Sequence, residues 1–249
     1  MIAGTSPLWW LLGVALIALV YSLVGHGGAS GYLALLALSP LLPREVAITA
    51  LLINLVVAGT SFGLYRLARH FSWTLAWPLL AGSVPWAYLG ARLPLPAGAY
   101  HGLVGGVLLL AGLRLFWIAP AGTPAAALAP RPGVAPRIGL GAGLGLLSGV
   151  AGVGGGIFLS PVLLLARWAT AKQTSAVSAV FIVANSLAGL AGRLPAGGGI
   201  RPETAVLAAA GLAGALVGSW LGAFVLSPRV LQRALAAVLV FAAVKLMLR

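Results

Sequence analysis

Two stretches of this chain carry glycine at a density that an apolar helix does not tolerate. One is Gly25 to Gly31, read Gly-His-Gly-Gly-Ala-Ser-Gly; the other is Gly152 to Pro161, read Gly-Val-Gly-Gly-Gly-Ile-Phe-Leu-Ser-Pro. Each glycine inside a helix costs roughly 1 kcal/mol, so the clusters predict that the backbone unwinds and restarts as a new helix. A restarting helix presents free backbone N–H groups and the positive end of its dipole, which together bind an anion without any charged side chain. Gly27, Gly28, Gly154, Gly155 and Gly156 supply that backbone, and Ser30 and Ser160 add hydroxyl donors. Close helix packing is the simpler use of such glycines, and both readings stay open here.

Asn54 and Asn185 recur at the same place in each half of the chain, deep in apolar segments where an unsatisfied amide is costly. Either can hydrogen-bond an oxyanion or tie the unwound loop to its neighbouring helix. Thr49, Ser178 and Ser186 are weaker candidates, because hydroxyls in membrane helices usually bond their own backbone. His26 is the titratable side chain inside a glycine stretch: it could carry a proton coupled to transport, or act as a neutral hydrogen-bonding partner. Arg193, eight residues past Asn185, is either a snorkelling interface residue or a guide for an anion at the mouth. Gly28-Ala29-Ser30-Gly31 also fits Gly-x-Ser-Gly, the pattern around the nucleophile of intramembrane serine proteases, which needs a histidine base within reach of Ser30.

Composition limits what these residues can do. With 61% hydrophobic and 7% charged residues and a mean hydropathy of +1.09, the chain is an integral membrane protein partnered by the lipid bilayer. The net charge of +13 is dispersed at segment ends, as headgroup contacts require, and does not point to nucleic acid. Glu45 and Glu203 are the whole acidic complement, so a pathway through the protein is electropositive and suits an anionic cargo. There is no cysteine, hence no disulfide and no thiolate metal site. Neither a catalytic residue, a metal nor a cofactor is assigned.

The elements that position these residues read as follows. Leu8 to Val24 leads into the first glycine stretch and is a retained helix rather than a signal peptide; Tyr32 to Leu42 after it is only half a span. Val46 to Tyr65, Phe71 to Leu93 and Tyr100 to Ile118 follow as full spans. An Ala/Pro-rich linker at 119–136 separates this first repeat, 1–118, from a second, 137–249. There the order recurs: Ile138 to Ala151, the glycine loop, a half-span from Phe158 to Trp168, then Thr174 to Leu194, Thr204 to Val225 and Leu231 to Leu248. Asn54 aligns with Asn185, Leu89-Gly-Ala91 with Leu221-Gly-Ala223 and Pro96 with Pro228, at offsets of 131 to 132. The expected fold is therefore an all-α membrane protein of two inverted-topology repeats, about 8 to 10 helical segments, each repeat holding a short broken or re-entrant helix pair plus three full transmembrane helices. Basic residues fall in modest excess on the side of the Arg66 loop, which that topology makes the inner one.

At Gly152 to Pro161, followed by Thr-Ser-Ala-Val-Ser-Ala-Val-Phe-Ile-Val-Ala-Asn-Ser-Leu-Ala-Gly at 174–189, the chain resembles the TauE/SafE sulfite exporter family. The duplicated layout covers nearly the whole chain, although His26 and Ala29 interrupt the glycine run of the first half. The resemblance implies a multi-pass permease of the cytoplasmic membrane that moves sulfite, organosulfonates or related small anions. Alternating access at a site between the glycine loops is the expected mechanism, and homo-oligomerisation is left open. The rival readings are an intramembrane protease using Ser30 and a non-transporting subunit of a membrane assembly.

Overall fold

The computed structural model describes residues 7–39, 41–93, 109, 113, 128–196 and 200–247. The span expected at 100–118 and most of the 119–136 linker lie outside them. The described residues contain no strand and nine α-helices: α1 Pro7–Ser22, α2 Ala29–Leu36, α3 Pro43–Leu67, α4 Trp73–Gly90, α5 Val134–Ala151, α6 Gly156–Leu165, α7 Ala171–Arg193, α8 Glu203–Trp220 and α9 Pro228–Met247. Four apolar segments are long enough to cross a membrane, Glu45–Leu67, Val134–Ala151, Ala171–Arg193 and Glu203–Val225. The all-helical membrane architecture is as the sequence predicts. The half-spans start earlier than expected, so Ser30 and Gly156 stand in the first turns of α2 and α6 rather than in loops.

Local chemistry explains the helix starts. Pro43 opens α3, where its missing N–H costs nothing, and Glu45 reaches back to accept from the Leu42 N–H at 3.1 Å. Thr170 and Gln173 cap α7 reciprocally: the Gln173 N–H donates to Thr170 Oγ1 at 3.3 Å and the Thr170 N–H to Gln173 Oε1 at 3.2 Å. Arg201 gathers both carboxylates at one end of the bundle, pairing with Glu45 at 3.0 Å and Glu203 at 3.8 Å. The acidic residues thus stay out of the interior.

Two seams of small residues hold the bundle together. Between α4 and α5, a Cβ on Gly82, Gly90, Gly141, Gly145 or Gly149 would come under 3.0 Å from the facing backbone, so these helices touch main chain to main chain. Gly214 and Gly218 of α8, and Gly222 just after it, do the same against Ala15 and Leu19 of α1 and Leu23 just after that helix. In both seams the contacting numbers rise together along the two helices, which makes each pair parallel.

Helix directions follow from the remaining contacts. Thr49 Oγ1 meets Thr204 Oγ1 at 3.4 Å and Ser61 Oγ meets Ser219 Oγ at 2.8 Å, so α3 runs parallel to α8. Ser83 bonds Asn185, and a Cβ on Gly192 would abut the Tyr88 backbone, so α4 runs parallel to α7. The numbers fall where α3 crosses α7: Leu51 packs with Leu190, Asn54 bonds Ser186 and Tyr65 packs on Ala176. Consequently α1, α3 and α8 form one parallel block, α4, α5 and α7 an opposed one, and the blocks meet at the α3–α7 crossing. Leu35 packs at Gly13 and Ile17 at Gly31, so α2 folds back along α1. Likewise α6 returns to the end where α5 begins, since Arg131 Nε of the segment leading into α5 donates to Trp168 O at 3.1 Å. Each glycine stretch is the bend of a hairpin whose second limb is short.

Candidate functional site

The bends are built by left-handed glycines. α1 unravels as the Gly25 N–H donates to Ser22 O at 3.0 Å and the His26 N–H to Tyr21 O at 3.0 Å; Gly28, at φ 90°, then starts α2. In the second half Gly152 (φ 68°) ends α5 with its N–H on Ser148 O at 2.9 Å, and Gly155 (φ 77°) starts α6. A side chain at either start would be strained in this backbone conformation. The glycines therefore do more than permit packing: they aim the N-terminal ends of two short helices inward.

Both glycine bends arrive at Asn54, which lies eleven residues into the buried α3. Its Oδ1 accepts from the Ala29 N–H at 3.1 Å, the first residue of α2, and its Nδ2 donates to Ser186 Oγ at 2.9 Å on α7. A Cβ on Gly27 would collide with the Asn54 carboxamide, and one on Gly154 would lie 2.6 Å from Asn54 Nδ2. One amide thus touches both glycine bends. Of the two roles open in the sequence, tying the loop to its neighbouring helix is what Asn54 performs here.

His26 makes a second link between the halves. Its Nδ1 lies 3.0 Å from Val24 O, an acceptor that requires Nδ1–H, and its Nε2 lies 3.2 Å from Ser160 Oγ on α6. Ser160 Oγ in turn lies 2.7 Å from Ser178 Oγ on α7. With the neutral ring, Nε2 accepts and the hydroxyl of Ser160 donates to it; a protonated ring would donate instead and reverse that bond.

The remaining candidates are placed differently. Ser30 turns to Tyr21, with Oγ and the phenol oxygen 2.9 Å apart, while the histidine ring faces Ser160, so the Ser30–His26 pair that a protease reading needs is not formed. Asn185 does not mirror Asn54: its Oδ1 accepts from Ser83 Oγ at 2.5 Å on α4, and its Nδ2 has no partner among the described residues. Gly156 packs on Ile182 and the Ser178 carbonyl. Arg193 folds back onto the end of α5, its Nη2 donating to Gly149 O at 2.5 Å and Val150 O at 3.2 Å.

Ser83 and Ser148 escaped the sequence reading. Ser83 aligns with Ala215 at the repeat offset of 132, so duplication gives no signal for it. Ser148 was legible only as a hydroxyl four residues before Gly152. Ser178 and Ser186, weak as isolated hydroxyls, matter because α7 carries Ser186 to Asn54 of the other half and Ser178 to Ser160, the residue that meets His26.

Comparison with known proteins finds two matches that cover most of the chain. The family model described as Sulfite exporter TauE/SafE matches residues 10–246. A curated relative from Sinorhizobium fredii, "Probable membrane transporter protein y4hK", is 33% identical over 220 residues, covering 86% of this chain and 89% of its own length. No solved structure matches.

Proposed function

This chain belongs to the sulfite exporter TauE/SafE family of membrane transporters, and from that premise we propose that it is a secondary transporter moving small sulfur oxyanions, sulfite or organosulfonates, across the cytoplasmic membrane. The observation that carries the reading is that both glycine bends, each leading into a short helix whose positive dipole end faces the interior, meet at Asn54 through the Ala29 N–H and Gly154. The placement of Glu45 and Glu203 at one end with Arg201 keeps carboxylates away from it and favours a negative cargo.

The reading includes two inverted-topology repeats, 1–118 and 137–249 about the 119–136 linker. The opposed directions of α1 and α5, α3 and α7, and α4 and α8 support it. Alternating access then takes the form of one parallel block rocking against the other about the α3–α7 crossing. Glycine seams keep each block rigid, and the polar links Asn54–Ser186 and His26–Ser160 span the moving boundary. The end bearing Arg66, Arg69, Arg137 and Lys172 faces the cytoplasm under the positive-inside bias. Gly27, Gly28, Gly154, Gly155, Gly156, Asn54, Asn185, Ser30 and Ser160 form or border the cargo path, with His26 a neutral hydrogen-bonding bridge between the halves.

Flux from proteoliposomes loaded with sulfite, thiosulfate, methanesulfonate or chloride tests the function. Saturable sulfite or methanesulfonate movement well above that of chloride is expected. Flux equal to that of protein-free vesicles for all four would overturn it.

A further inference from the structure

Within the second half, three buried side-chain donors surround the end of α5 and the glycine bend after it. Ser148 Oγ, Asn185 Nδ2 and Arg193 Nη1 have no hydrogen-bond partner among the described residues, and Ser148 and Asn185 are only 2% and 1% exposed. Their placement is shared. A Cβ on Gly155, the start of α6, would lie 3.0 Å from Ser148 Oγ. Phe181, one turn before Asn185 on α7, borders the same glycine. Arg193, two turns after Asn185, lies back along α7, so that a Cβ on Gly189 would stand 3.5 Å from Nη1 and one on Gly152 3.4 Å from Nη2. The guanidinium thus lies against Gly189 and Gly152.

The chemistry of the three atoms is one-sided. Asn185 has spent its acceptor oxygen on Ser83, so only its N–H2 group remains, and a guanidinium has donors alone. Unpaired donors and a fixed positive charge are costly in a membrane interior, and such residues there mark ligand paths. The first half offers less: Tyr32 Oη, 3.0 Å from a Cβ on Gly28 at the start of α2, is likewise without a partner among the described residues, but the repeat places no guanidinium with it. Eight residues after Asn54 stands Phe62, where Arg193 stands eight after Asn185, and both ends of the Asn54 amide are bonded within the protein. The two halves therefore divide the work: Asn54 locks one helix start, and the other is ringed by donors.

We propose that Ser148, Asn185 and Arg193, with the N-terminal end of α6, form the subsite that holds the charged oxygens of the cargo, a small singly charged sulfur oxyanion of the sulfonate or hydrogensulfite type. The inference rests on the transporter reading and makes it specific to one bend. A single guanidinium matches a single negative charge, and donors from three directions match the oxygens of an –SO3 group.

Isothermal titration of the protein in nanodiscs with methanesulfonate, and with sulfite near pH 6, tests it alongside vesicle flux. Ser148→Ala removes a hydroxyl that has no partner among the described residues, so elution and melting should be unchanged while methanesulfonate binds about tenfold more weakly. Asn185→Asp keeps the acceptor for Ser83 and places a negative charge beside Arg193; binding and flux should both vanish in protein that still elutes as the parent does. Parent-like affinity in both variants, with the parent protein still transporting, overturns the subsite and leaves the transporter reading standing. A parent protein that neither binds nor moves either anion overturns both. Should Asn185→Asp fail to fold, the Ser148→Ala titration alone decides.

Discussion

Replacing Asn54 separates a structural lock from a packing site. Asn54→Leu preserves side-chain size but deletes two hydrogen bonds, the 3.1 Å bond from the Ala29 N–H and the 2.9 Å bond to Ser186 Oγ. The first loss strands a buried backbone donor at the start of α2, which costs about 1–3 kcal/mol. The second frees a hydroxyl that can turn to its own helix, and interhelical bonds of this kind in membranes average about 0.6 kcal/mol. Together they predict destabilisation of about 2–4 kcal/mol for Asn54→Leu, against about 0.6 kcal/mol for Ser186→Ala. Reversible unfolding in mixed detergent micelles measures both, and Asn54→Asp supplies the control: a carboxylate still accepts from Ala29 and Ser186, so most stability returns while a negative charge now sits in the anion path. Flux should be lost in Asn54→Leu and in Asn54→Asp alike, but only the former should be destabilised. Equal stability of Asn54→Leu and Ser186→Ala would refute the claim that this amide locks the bend.

Other substitutions probe neighbouring features. Gly155→Leu, at a φ of 77° and with Phe181 and Ser148 within 3.0 Å of its Cβ, should abolish sulfite flux in protein that still inserts into the membrane; parent-like flux would argue against this bend as the site. On α5, Gly145→Leu drives a side chain into the Ser83 backbone and should cost about 3 kcal/mol or more, seen as loss of monodisperse protein, whereas Gly143→Leu meets open space and should be neutral. His26→Gln cannot make both the Val24 and the Ser160 contacts, so vesicle flux should slow several-fold with its pH profile retained; disappearance of the pH dependence would instead make the ring a proton carrier.

Much of this architecture was legible from residue types because membranes punish exceptions. Glycine clusters, two asparagines and a near absence of acid stand out against a 61% hydrophobic background, and each marks an interior feature of the fold. The repeat offset of 131 to 132 sets α3 against α7 and α4 against α8, but it does not carry through the bends, where Gly28 and Gly155 are 127 apart. What composition could not supply was direction. Ser30 looked like a donor toward the centre, yet one position on a helix sets its azimuth, and it faces Tyr21 instead. Asn54 and Asn185 looked equivalent, yet their partners come from different elements: the α2 backbone and Ser186 for one, Ser83 of α4 for the other. Such distinctions depend on tertiary placement, which local sequence does not encode.

The central claim is that the two glycine bends, drawn from opposite halves of the chain, meet inside the bundle. The chain has no cysteine, so paired thiols can be introduced on an otherwise silent background. His26→Cys with Ser160→Cys joins the two bends, whose parent side chains are 3.2 Å apart; Ser61→Cys with Ser219→Cys, 2.8 Å apart in the parent, serves as the reference pair. With a protease site inserted between residues 119 and 128, mercury(II) bridging should hold the two cleaved halves together on a denaturing gel for both pairs in native membranes. Halves that separate for 26–160 while 61–219 stays bridged would contradict the account.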